Sequence, residues 1–243
     1  MKLRNVLYAF LALVAVWQAI VTLTGQPHFI LPSPLRVAEA MWSSRALLAE
    51  HALITLLEVV IGLAIGAVLG AATAIHLAGS PRARAVLQPV LVFSQAIPVF
   101  ALAPILTLWL GYGLWSKVFM AVLIIYFPIT SAFFDGLMRT PQGYLDMARV
   151  MGATPGAIMR RIRIPAALPS LGSGLRLGAV YAPIGAVIGE WVGSSNGLGY
   201  LMLLANGRAK IDLMFAAVIV LGALSVLLYW LVDRMIARLI PAR

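Results

Sequence analysis

The sequence predicts an all-α polytopic membrane protein of about six spans with both termini cytoplasmic. Three observations carry that reading. Of its 243 residues, 62% are hydrophobic and only 11% charged, whereas a soluble domain has about 45–50% apolar and about 25% charged residues. Six apolar stretches separated by polar breaks approach the roughly 20 residues needed to cross about 30 Å of hydrocarbon. Basic residues are also distributed unevenly between those stretches. Lys2, Arg4, Arg82, Arg84, Arg139, Arg149, Arg160, Arg161, Arg163, Arg234, Arg238 and Arg243 fall on the side of the termini, against Arg36, Arg45, Lys117, Arg208 and Lys210 on the other. Twelve against five puts both ends inside, because cytoplasmic segments collect Lys and Arg.

The same asymmetry accounts for a net charge of +10 without nucleic acid, since the excess lies where anionic lipid is found. No cysteine is present, which excludes disulfides, thiolate metal sites and a cysteine nucleophile.

The first span, 6–23, follows Lys2 and Arg4 and lacks an Ala-x-Ala cleavage site, so it reads as an uncleaved helix rather than a signal peptide. Leu31-Pro32-Ser33-Pro34 then punctuates a loop leading into an interfacial helix over 35–48. The second span, 52–77, carries Gly62, Gly66 and Gly70 at four-residue spacing, a groove that admits another helix. Glu58 lies one turn before Gly62 on roughly the same face. Pro89, Pro98 and Pro104 in the third stretch, 86–110, predict a kinked or interrupted helix. The fourth span, 115–138, is expected to break near Pro128 and ends with Asp135 and Arg139 at i, i+4. The fifth and sixth spans cover 171–191 and 213–232.

Between the fourth and fifth spans, residues 140–170 are too polar to lie in lipid. Residues 145–151 can form two helical turns with Asp146 and Arg149 at i, i+3, and Gly152 can supply the helix-ending conformation. Thr154-Pro155 reads as N-cap and first helical residue of a second short helix that should stop before Pro165. Two short helices joined by a glycine turn make a protruding knob. On spacing alone, a docking knob and a structured connector are equally good readings.

Asp146-Met147-Ala148-Arg149-Val150-Met151-Gly152-Ala153, continuing to Ile164-Pro165-Ala166-Ala167-Leu168-Pro169, resembles the EAA loop of permease subunits of type I ABC importers. Asp146 stands for the usual Glu, Met147 for the first Ala and Ile164 for Leu. Leu31-Pro32-Ser33-Pro34, Gly189-Glu190-Trp191 and Asn196-Gly197-Leu198-Gly199-Tyr200 are similar to the branch that imports sulfonates, taurine, nitrate and thiamine-type pyrimidines. Residues 201–206 and 212–216 look most like its pyrimidine-precursor members.

The resemblance implies a single transmembrane permease domain over 1–243 with the MetI-like fold, in the bacterial inner membrane. It implies that Asp146, Ala148, Arg149, Gly152, Ala153, Pro155, Pro165 and Pro169 form a coupling loop seated on a separate ABC ATPase subunit. Two copies of that ATPase, a periplasmic or lipoprotein substrate-binding protein and a second copy of this chain are the expected partners, with membrane lipid around them. The expected solute is a thiamine-precursor pyrimidine of the hydroxymethylpyrimidine type, the alternative a sulfonate, taurine or nitrate.

No Gly-x-x-x-x-Gly-Lys-Ser/Thr occurs, so the chain lacks a phosphate-binding loop. It is expected to bind no cofactor itself, with ATP and Mg on the ATPase, and to be no enzyme. Glu58 and Glu190 are candidates for lining the path, because an acid in a span costs roughly 2.5–3.5 kcal/mol unless accommodated. Equally, Glu58 can pair with a neighbouring helix and Glu190 meet water at the outer end. His28, His51 and His76 lack metal-ligand spacing and read as interfacial. The rival from another class is an ion-coupled secondary transporter, against which stand the few spans and the glycine-hinged knob.

Overall fold

The computed structural model describes residues 3–239; Lys2 and Arg243 of the charge asymmetry lie outside them. Among the described residues the chain is all helical. The helices are α1 (Leu3–Thr24), α2 (Pro34–Ser43), α3 (Arg45–Gly79), α4 (Pro81–Ala96), α5 (Val99–Leu110), α6 (Leu114–Met138), α7 (Gln142–Val150) and α8 (Pro155–Ile158). A π-turn, Met159–Arg163, leads into α9 (Ile164–Gly193), followed by α10 (Leu198–Gly207) and α11 (Ile211–Leu239).

Four helical stretches are long and apolar enough to cross a membrane: Arg45–Gly79, Leu114–Met138, Pro155–Gly193 and Ile211–Leu239. The α4–α5 pair makes a fifth span if taken together, bent by 99°. The described apolar part of α1, Leu11–Thr24, falls below the length of a span, so by length and composition four to five spans are recognised among the described residues.

Local chemistry sets the boundaries. Ser33 accepts the Arg36 amide and Pro34 opens α2; Ser80 accepts the Ala83 amide and Pro81 opens α4, the N-cap-plus-proline arrangement in both cases. The expected interfacial helix over 35–48 is divided at Ser44, beyond which α3 runs for 35 residues. Of the three prolines in the third stretch only Pro98 interrupts the helix. Ile97 before it takes an extended conformation, ψ 120°, as a residue preceding proline prefers. Pro89 and Pro104 are carried inside α4 and α5.

Two expected breaks do not occur. Pro128 sits inside an uninterrupted α6, where neighbouring helices on both sides support the helix past the missing donor. The second short helix of the knob also passes Pro165 without stopping. Ile164 donates back five residues to the Met159 carbonyl, and this widened turn admits the pyrrolidine ring, so the knob flows directly into α9.

α6 is sandwiched between α3 and α9. Val59, Ile125, Ile129, Ala179, Ala182 and Ala186 meet Leu228 and Val232 of α11 in the central core. Ala74, Ala78, Phe133, Leu137 and Ala167 close the end nearest the knob. Val37, Leu198, Leu201, Met202, Ala216 and Ala217 join α2, α10 and α11 at the other side. Gly62, Gly66 and Gly70 all face α6: a Cβ on them would stand 2.8 Å from Ala121 Cβ, 2.7 Å from Ile125 Cδ1 and 2.9 Å from Ile129 Cγ2. The glycine face is thus consumed inside the protomer, not offered to a second copy.

Candidate functional site

Each end of the α3–α6–α9 sandwich carries a distinct structure. At one end is the knob. α7 terminates in a paired turn: the Gly152 amide bonds the Arg149 carbonyl and the Ala153 amide the Ala148 carbonyl, both at 2.9 Å, with Gly152 at φ +78°. This is the Schellman arrangement, in which a left-handed residue lets two terminal carbonyls be satisfied. The residues of the EAA-like string therefore have separate jobs. Ala148 is buried with Leu145 and Ile158, and Ala153 packs beside them, giving the knob a small core of its own. Asp146 and Arg149 are exposed and bond each other at 2.5 Å along α7. Pro155 opens α8 beneath the Thr154 cap, which accepts the Ala157 amide. Pro165 lies in the first turn of α9 and Pro169 inside it.

The knob is fixed rigidly to the sandwich. Arg163 donates to the Ala78 carbonyl at 3.4 Å, capping the end of α3 with a cation as helix C-termini favour. Met159 and Ile164 pack into the core at that end. On its outward side α7 exposes Tyr144, Met147, Val150 and Met151, Val150 to 89%. Four large apolar side chains together on a polar projection mark a contact surface. Sequence reasoning missed these four; the signal was their recurrence at helical spacing opposite Leu145 and Ala148.

At the opposite end lies a buried polar cluster. Glu58 and Glu190 are each 1% exposed. Glu190 accepts the Thr55 hydroxyl at 2.6 Å and the Gly199 amide at 2.5 Å. Thr55 Oγ1 in turn accepts the Leu198 amide at 2.8 Å, and His51 Nδ1 accepts the Gly197 amide at 2.9 Å. Three successive amides at the start of α10, orphaned by helix geometry, are thus held by side chains of α3 and α9. A negative group at this position also complements the helix dipole.

Gly189-Glu190-Trp191 and Asn196-Gly197-Leu198-Gly199-Tyr200 are therefore two halves of one lock. A Cβ on Gly197 would overlap the Glu190 carboxylate, and one on Gly199 would stand 2.8 Å from its Oε2. Gly197 also has φ +101°, the region glycine alone enters cheaply. Glu58 Oε1 lies 3.7 Å from Lys117 Nζ, while its Oε2 has no hydrogen-bond partner among the described residues. Lys117 also donates to the Tyr112 carbonyl at 3.3 Å.

Glu190 does not meet water at a helix end, and His51 is buried rather than interfacial. The signal for the latter was available: His51, Thr55 and Glu58 fall at i, i+4, i+7 on one face of a span.

Comparison with known proteins shows the family and the fold. The profile of the family described as "Binding-protein-dependent transport system inner membrane component" matches residues 62–241. A Haemophilus influenzae protein named "Probable ABC transporter permease protein" is 50% identical, over 94% of this chain and 93% of its own. The formylaminopyrimidine transport permease protein of Halalkalibacterium halodurans is 37% identical over 96% and 94%. The riboflavin transport system permease protein of Chloroflexus aurantiacus is 39% identical over 93% and 86%. A chain of the MetNI methionine ABC transporter, solved in inward-facing conformations, superimposes with a TM-score of 0.62 at 20% identity, covering 86% of this chain and 98% of that one.

Proposed function

Since the chain belongs to the family of binding-protein-dependent transport system inner membrane components, we infer how its two ends divide the work of transport. It is a multi-pass permease subunit of an ABC importer in the inner membrane, and not an enzyme. ATP and Mg belong to a separate ATPase. The knob is the coupling element: its apolar tip seats in that ATPase, and α9, continuous with the knob, carries the displacement into the sandwich. The observation supporting this is the combination of an exposed apolar tip with a knob that has its own core and a bonded root on α3. Residues 140–170 and both termini face the cytoplasm, as the charge asymmetry indicates.

Two copies of this chain, two ATPase subunits and an external binding protein complete the transporter. The glycine face of α3 is spent on α6, so the argument for the second copy is the need for enough helices to enclose a path. Glu190 acts first by holding the start of α10 to the sandwich and Glu58 by pairing with Lys117 of α6, and both bear on the path through that lock. The solute is a thiamine-precursor pyrimidine. Relatives named for formylaminopyrimidine and riboflavin support this, both being planar, nitrogen-containing ring systems. A sulfonate, taurine or nitrate is the alternative.

The test is uptake into vesicles carrying the purified complex with its binding protein. Formylaminopyrimidine is expected to accumulate only when ATP and the loaded binding protein are both present. Uptake driven by an ion gradient without the ATPase would instead establish a secondary transporter.

A further inference from the structure

The cluster at the end away from the knob holds the start of α10 by three unlike acceptors: a carboxylate, a hydroxyl and an imidazole. Glu190 takes the Gly199 amide and Thr55 the Leu198 amide. His51 takes the Gly197 amide on Nδ1 at 2.9 Å, and an imidazole nitrogen accepts only while it carries no proton. This contact therefore requires a neutral His51 with its proton on Nε2. Once protonated, Nδ1 is itself a donor and opposes the amide N–H. His51 is 5% exposed and Gly197 is buried, so the displaced amide finds no water without moving.

The charged and titratable groups around His51 offer a protonated imidazole no ready partner. On α3, Glu50 precedes it and is exposed, while Glu58, two turns on, pairs with Lys117 of α6. On α9, Glu190 is engaged by Thr55 and Gly199 and makes no ion pair with His51. On α10, the Tyr200 ring centroid stands 6.0 Å from that of the imidazole. Arg36 and Glu39 of α2 and Lys210 and Asp212 beside the start of α11 line a separate groove with Ser43 and Ser44. A charged His51 drawn to Glu190 would compete with the Gly199 amide for that carboxylate, which also loosens α10.

We propose that His51 makes the lock a pH-sensitive latch: a proton taken up on Nδ1 releases the Gly197 amide and frees the first turn of α10. The latch is closed while the imidazole is neutral and opens as the pH falls, histidine being the side chain whose charge ordinarily changes between about pH 5 and 8. Leu201 and Met202 stay packed among Val37 of α2 and Ala216 of α11, so the opening is local and reversible. The latch rests on the fold alone. The side from which the proton arrives, the external one, rests on the orientation proposed above.

Hydrogen exchange of the assembled complex in lipid nanodiscs tests it at about pH 7.5 and about pH 5.5, on either side of the ordinary histidine value of about 6.5. Each exchange rate is divided by the intrinsic rate at the same pH. Protection of the Gly197 amide is expected to fall at least about threefold in acid, while amides bonded within α10 keep theirs. In His51→Asn the carboxamide oxygen replaces Nδ1 as acceptor and does not titrate, so protection should be equal at both pH values. In His51→Ala it should be low at both.

Equal protection of the unaltered chain at the two pH values overturns the latch, and that comparison needs no variant. An acid-induced fall in His51→Asn as large as in the unaltered chain also overturns it, because the titrating group is then Glu50 or Glu190. Full protection in His51→Ala at both pH values overturns it as well, since the amide then does not depend on the imidazole.

Discussion

Single residues at the two ends of the sandwich do unlike work, and substitutions separate them. Gly152 has open space where a Cβ would stand, so the penalty of a side chain there is conformational: about 1–2 kcal/mol for the left-handed backbone, more when β-branched. Gly152→Val should leave the subunit inserted and assembled with its ATPase. Stimulation of ATPase activity by loaded binding protein should be lost, and full stimulation would contradict the coupling role. Lys117 is the opposite case, a buried cation whose ammonium lies 3.7 Å from the buried Glu58 carboxylate. Removing one member of such a set costs about 3–5 kcal/mol, because the remaining charge is left uncompensated. Lys117→Met should therefore lower the thermal midpoint of the detergent-purified subunit sharply. Adding Glu58→Gln should recover part of the loss; strictly additive losses would show that the two do not interact.

Among the elements, α3, α6 and α9 approach closely through glycine, but their tolerance differs with what each glycine meets. A Cβ on Gly66 would meet the far end of the Ile125 side chain, which can rotate away. A Cβ on Gly185 would stand 2.6 Å from Ala121 Cα and 2.9 Å from its backbone nitrogen, so the helices themselves must part. Gly185→Ala should thus destabilise the purified subunit more than Gly66→Ala, by roughly 1–3 kcal/mol as overpacking does; a smaller effect at Gly185 would mean that α6 and α9 yield easily. The small-residue pattern on α3 was legible because its period is regular. That of α9, spread over Gly174, Gly178, Gly185 and Gly189, was not, since Pro183 and an irregular interval obscure it. Proline misled similarly. Pro98 ends a helix and Pro128 and Pro165 do not, a distinction set by neighbouring helices and a widened turn rather than by proline itself.

For the molecule as a whole, the sequence disclosed what repeats or punctuates: apolar spans, the glycine-ended knob and the basic asymmetry. It hid what depends on distant segments meeting. Nothing local in Asn196-Gly197-Leu198-Gly199 announces that a glutamate nine residues before Gly199 and a threonine on α3 will hold its amides. The knob tip was hidden for a related reason, since only the folded α7 reveals which side is spent on Leu145 and Ala148 and which is left for another chain. That division yields a test of transmission through the assembly. Val150→Asp together with Met151→Asp alters only exposed side chains, so the thermal midpoint of the permease alone should stay within the small shift typical of surface substitutions. The ATPase should nevertheless fail to co-purify, because charged groups would displace the apolar contact. Leu145→Asp buries a charge in the knob core and should lower the midpoint as well as abolish co-purification. Retention of the ATPase by the double variant would mean that the tip is not the seat of the motor, and that α9 receives its displacement from some other part of the knob.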